Sequence, residues 1–165
     1  MYLAGEVCRY TWNQPGSCTA MGELQAAVLA SQLEILDEVT SRRRAVSEEY
    51  GRRLQPLENK GIARLMKVPD YAEPNGHIFY LRFETEKLRD YVMDFLGNRE
   101  IESKTHYVPL HMSPQGRRMG CHEEDLKGAA NCYKTLLRLP IHGQMSGEQV
   151  EFVSEMVLKA CGAEA

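Results

Sequence analysis

The feature that most constrains this chain is a change of hydrophobic period within a few residues. His77-Ile78-Phe79-Tyr80-Leu81-Arg82-Phe83 is rich in β-branched and aromatic side chains and reads as a strand. Two residues later Thr85 stands at an N-cap position. Leu88, Tyr91, Val92, Phe95 and Leu96 then recur at i, i+3, i+4, i+7 and i+8 up to Gly97, the stripe of an amphipathic helix. A chain with both periods so close together must pack strands against helices.

The flanking segments extend the pattern. Met21, Leu24, Val28, Leu29, Leu33, Leu36 and Val39 recur near a period of 3.6. Val46, Tyr50, Leu54 and Leu57 continue it to a stop at Asn59-Lys60-Gly61, which predicts one long or bent helical region. Ile62 to Val68 reads as a short strand, Pro69 to Gly76 as a loop, and Ser103 to Val108 as a further short strand before an irregular segment through Gly120. Leu126, Ala130, Tyr133 and Leu137 predict a helix over 123–137. The capping box Ser146-Gly147-Glu148-Gln149 opens a last helix burying Val150, Val153, Met156, Val157 and Cys161. The expected fold class is α+β, a short-stranded sheet packed with helices. Residues 21–165 form one domain, and residues 1–20, rich in Gly, Pro, Asn, Ser and Thr around Tyr10 and Trp12, form a connector.

Composition narrows the partners. Twenty basic against twenty-three acidic residues give a net charge of −3, so neither nucleic acid nor an anionic membrane is expected. No apolar run approaches the roughly 20 residues that span a bilayer, and the N-terminus lacks the pattern of a secretory signal. A cytoplasmic protein is the expectation. Cys8, Cys18, Cys121, Cys132 and Cys161 are scattered without a C-x-x-C pair and read as free thiols.

No catalytic centre assembles from pattern alone. The densest polar cluster is Thr105-His106-Tyr107-Val108-Pro109-Leu110-His111, whose two histidines five apart read either as packing residues or as a site. A metal would need further donors, with only Cys121 and His122 nearby, and no metal site is expected. Arg42-Arg43-Arg44 lies within helical reach of Glu38, Glu48 and Glu49 and reads as a solvated face with local ion pairs. There is no phosphate-cradling glycine loop and no G-x-S-x-G elbow.

Taken in order, several segments resemble the DegT/DnrJ/EryC1/StrS family of sugar-nucleotide aminotransferases, especially its TDP-4-keto-6-deoxyglucose 4-aminotransferase branch. They are Gly5-Glu6-Val7 with Tyr10-Thr11-Trp12, Gly16-Ser17, Glu23-Leu24-Gln25-Ala26-Ala27 with Gln32-Leu33-Glu34, His77-Ile78-Phe79-Tyr80, His106 to His111 with Pro114, and Leu136 to Pro140. The resemblance implies the C-terminal small domain of a fold-type-I, pyridoxal-phosphate (PLP) dependent aminotransferase that acts on lipopolysaccharide or surface-polysaccharide sugars.

In such enzymes a large domain precedes these segments and carries the lysine that holds the cofactor. None of this chain's lysines lies in that motif, so no catalytic residue is assigned here, no cofactor is expected on the chain alone, and a truncated, inactive product is expected. The resemblance implies that His111 lies near the sugar substrate, where a neutral imidazole could hydrogen-bond a hydroxyl or phosphate oxygen, with Tyr107 as a second candidate. Cys18 stands where the family places an Asn or Ser that reaches the cofactor phosphate across a dimer interface, and Thr19 where the branch has Tyr. A thiol is a poor donor to phosphate. Implied partners are the absent large domain or an intact homologue, a second copy in a homodimer, and a nucleotide sugar with glutamate in the complete enzyme. The alternative is a non-catalytic remnant that self-associates or docks onto such an enzyme.

Overall fold

The computed structural model describes residues 20–163. The chain divides into two units between Ile35 and Leu36. The first contains helix α1 (Glu23–Glu34), which has no buried residue. The expected helical region is thus two helices. Ile35 ends α1 at φ −107° and ψ 9°, and α2 (Leu36–Asn59) begins the second unit. The predicted stop is observed. Gly61 takes φ +69°, its N–H reaches the Glu58 carbonyl at 3.0 Å, and the Ile62 N–H reaches that of Leu57 at 2.9 Å. That is the Schellman pair of bonds, which only a residue tolerant of the left-handed region accepts cheaply.

Three antiparallel strands follow in spatial order β1–β2–β3, with β1 at Ala63–Leu65, β2 at Phe79–Phe83 and β3 at Leu136–Leu139. Ala63 pairs with Phe83, Arg64 with Arg82, Leu81 with Leu137 and Tyr80 with Arg138. The strand expected over 103–108 reduces to one bridge, Lys104 to Arg138, because the chain leaves the sheet edge after a single residue pair. Helix α3 (Glu86–Gly97) starts where Thr85 Oγ1 accepts the Leu88 N–H at 3.2 Å. Helix α6 (Gly147–Ala160) has the predicted capping box at Ser146.

The helix predicted over 123–137 is corrected. A 3-10 turn spans Glu123–Leu126, α5 occupies Lys127–Thr135, and Leu136–Leu139 is the central core strand's partner. Leu137 and Leu139 fill the core only as part of the sheet, and that burial overrides their helical spacing. Arg89 of α3, itself 4% exposed, fixes the change of direction by donating to the carbonyls of Tyr133 at 3.2 Å and Leu136 at 3.5 Å.

One face of the sheet makes the core. Phe79, Leu81 and Phe83 of β2 meet Val46, Tyr50, Leu54 and Leu57 of α2, Val92 and Leu96 of α3, and Val150, Val153 and Val157 of α6. Met156 and Cys161, expected inside, are only half-buried at its margin. The Tyr50 ring lies 5.1 Å from that of Phe79, and its hydroxyl donates to the Pro140 carbonyl at 3.0 Å. Burial pushes that phenol well above its usual range. The mixed helix and sheet layers agree with the predicted α+β class.

Candidate functional site

The polar cluster leads into a tight bend. Past the Lys104 bridge, Pro109 precedes a 3-10 turn at Leu110–Met112 that leads into α4 (Pro114–Arg118). Ser113 joins the two. Its Oγ donates to the Leu110 carbonyl at 2.7 Å and accepts the Gly116 N–H at 3.0 Å. Pro114 sits at the start of α4, where a missing N–H costs nothing.

Gly116 makes the bend possible. A Cβ there would lie 2.2 Å from the Leu110 carbonyl oxygen and 2.9 Å from the His111 Cα. Without one, α4 closes directly onto the 3-10 turn, and His111 is left 7% exposed between exposed Leu110 and half-buried Met112. Its Nε2 is buried with no hydrogen-bond partner among the described residues. A buried polar atom left unpaired costs about 1–3 kcal/mol, so this nitrogen is an acceptor or donor waiting for a partner. Beside it, Glu123 is held below the usual carboxylate range by the hydrogen bond and charge of Lys134, with Arg117 and His111 adding to the effect.

Tyr107 does not share this environment. It is 81% exposed, and its ring stands edge-on to His106 with centroids 5.4 Å apart. The structure therefore buries one sequence-predicted residue and leaves the other outside. Cys18, together with Thr19, Tyr10 and Trp12, lies outside the described residues. Gly116, which sets His111, was missed from the sequence, since a glycine inside a Pro/Gly/Arg segment reads as generic turn chemistry.

The arginine run is corrected in its pairing. Arg42 bonds Glu38 as expected, but Arg44 reaches Glu73 at 2.8 Å, and Glu49 turns away to Arg52 and Arg53. Glu48 takes part in none of these pairs. Cys121, Cys132 and Cys161 are free and half-buried, and burial pushes the Cys161 thiol up to about 11.

The residues present do not fit a PLP cofactor held on a lysine. Such a lysine needs a desolvating pocket that lowers its pKa. Lys134 is instead paired to Glu123 and its amine held above the usual range, Lys104 bonds Glu102 at 3.0 Å, and the remaining lysines are exposed.

Comparison with known proteins agrees with the fold. The DegT/DnrJ/EryC1/StrS aminotransferase family profile matches residues 3–158. The chain is 33% identical over 150 residues to a dTDP-3-amino-3,4,6-trideoxy-alpha-D-glucose transaminase of Streptomyces venezuelae, covering 90% of this chain and 38% of that protein. It is 30% identical to a dTDP-4-dehydro-2,3,6-trideoxy-D-glucose 4-aminotransferase of Saccharopolyspora spinosa, covering 84% and 34%. The crystal structure of S. venezuelae DesV in complex with a ketimine intermediate superposes with a TM-score of 0.82 at 31% identity, over 98% of this chain and 42% of that one. The PLP form of a sugar aminotransferase from Streptococcus pneumoniae shares the fold, with a TM-score of 0.77 at 19% identity over 86% of this chain and 36% of that one. The chain spans about two-fifths of the length of these relatives. With the match running through nearly all of its residues, the chain belongs to the DegT/DnrJ/EryC1/StrS aminotransferase family.

Proposed function

We propose that this chain is the C-terminal small domain of a PLP-dependent nucleotide-sugar 4-aminotransferase of surface-polysaccharide or lipopolysaccharide synthesis, working in the cytoplasm. Its contribution is His111, which offers a partnerless imidazole nitrogen to a hydroxyl or phosphate oxygen of the nucleotide sugar. The observation that carries this reading is the burial of Nε2 without a partner among the described residues, on a bend whose close approach requires Gly116. The lysine, the cofactor pocket and the glutamate site belong to a large domain, and the chain by itself does not transaminate.

Mixing the purified chain with PLP tests this. No aldimine absorbance and no amino transfer from glutamate to a nucleotide-linked 4-keto-6-deoxyhexose are expected. A borohydride-reducible Schiff base on any lysine of this chain overturns the reading.

A second reading is favoured by α1. Leu24 is 86% exposed, and Val28, Leu29 and Leu33 are exposed beside it on a helix with no buried residue. Apolar helical surface of this kind is covered by protein in a working assembly, so a self-associating or partner-docking role accompanies or replaces the catalytic one.

A further inference from the structure

The sheet face turned away from the core carries an arrangement that the amino-transfer reading does not use. Alternation along β1 and β2 puts Arg64 and Arg82 on that face, and the two are direct cross-strand partners. Such pairs hold their Cβ atoms about 5 Å apart, and like charges there destabilise the sheet unless something neutralises them. No carboxylate among the described residues forms an ion pair with either. The arginines at 42, 44, 52, 53 and 89 each have a carboxylate within 4.0 Å, whereas Arg64 and Arg82, like the arginines at 43, 99, 117, 118 and 138, have none among the described residues. The Arg82 Nε, like those of Arg43 and Arg138, is also buried without a hydrogen-bond partner among the described residues.

Both arginines line a groove of about 770 Å³. Lys67, Asn131, Glu58 and Glu84 also line it. Glu58 is taken up by Lys67 at 3.5 Å. Glu84 lies in the groove without reaching either arginine. The volume is that of a small-molecule site. Neither His111 nor Tyr107 lines it, so the groove stands apart from the proposed sugar contact.

We propose that this groove binds the phosphate groups of a small molecule, with Arg64 and Arg82 as a two-guanidinium clamp and the Asn131 amide as a further donor. Guanidinium forks match phosphate oxygens bidentately. A phosphate group also carries enough charge to neutralise both arginines, where a single carboxylate would leave one unpaired. Bound phosphate removes the repulsion that the register of β1 and β2 otherwise imposes.

Titration of inorganic pyrophosphate into the full chain at constant ionic strength, followed by the Arg82 Nε–H resonance, tests this. A saturable shift is expected. Arg64→Gln, an exposed change that leaves the core untouched, weakens binding about tenfold or more through loss of a charge-assisted fork, and Arg82→Gln does the same. Arg99→Gln, just past the end of α3, leaves it unchanged. A nucleoside diphosphate that binds tighter than pyrophosphate supports the clamp and identifies a nucleotide source, whereas equal affinity supports the clamp with phosphate alone as its ligand. No saturable shift, an equal shift with sodium chloride, or equal weakening by Arg99→Gln overturns the proposal. The result is independent of any aminotransferase activity, so the two readings fail separately.

Discussion

At the scale of single residues, Gly116 and Glu49 make the sharpest cases. Gly116→Ala forces a Cβ to 2.2 Å from the Leu110 carbonyl, which is backbone and cannot step aside. It is expected to destabilise the domain by about 1–3 kcal/mol in urea unfolding, and to loosen His111 with it. Glu49 sits between Arg52 and Arg53, whose hydrogen bonds, that of Arg52 first, lower its carboxyl to about 2. A depressed carboxylate lends stability that is present above its ordinary value near 4.5 and is lost as pH falls toward 2. Glu49→Gln is therefore expected to lower stability slightly at neutral pH, to match the parent once pH falls to about 2, and so to flatten the stability profile in between. The pair is solvent-exposed and its effect correspondingly small. A steep acid limb retained in the variant would count against this role. Neither role announced itself in the sequence. Gly116 needs the neighbouring 3-10 turn to become meaningful, and Glu49 has several arginines within helical reach, among which only side-chain geometry chooses.

At the scale of elements, helix ends were legible and helix limits in the interior were not. Thr85, Ser146 and Gly61 sit where their caps were expected because capping is a local matter of one side chain or one φ angle. The end of α3 departs from this economy. Gly97 is its last residue, but the left-handed position falls on Glu100 at φ +60°, whose N–H reaches the Gly97 carbonyl at 3.1 Å. Relief of about 1–2 kcal/mol of left-handed strain, set against about 0.5–1 kcal/mol of added chain entropy, makes Glu100→Gly stabilising by about 0.5–1 kcal/mol. Thermal unfolding of the variant would show a raised midpoint, and a lowered one would refute the assignment. The opposite failure, the helix predicted through Leu137, has a nonlocal cause. Leu136 to Leu139 exchange helix spacing for pairing with β2, a partner more than fifty residues earlier in the chain.

At the scale of the whole molecule, the core holds together through few cross-element polar links, one of which joins the buried Tyr50 to the Pro140 carbonyl. Tyr50→Phe leaves the Pro140 carbonyl unpaired and should cost about 1–2 kcal/mol by chemical denaturation while the ring packing on Phe79 persists. The exposed apolar side chains of α1 predict concentration-dependent association, readable by light scattering. A strict monomer across the accessible range would remove the self-associating reading. The sequence by itself determined the α+β class, the capped helix starts and the ordered segments that carry the family resemblance, because hydrophobic period, capping and short motifs are written in neighbouring residues. Only the tertiary structure decided that Leu136–Leu139 is a strand, that His111 is buried with a free nitrogen while Tyr107 is not, and that Arg64 faces Arg82 across two strands. Each of these depends on which distant segment a residue meets, and burial against that segment outweighs the fraction of a kcal/mol that local propensity contributes per residue.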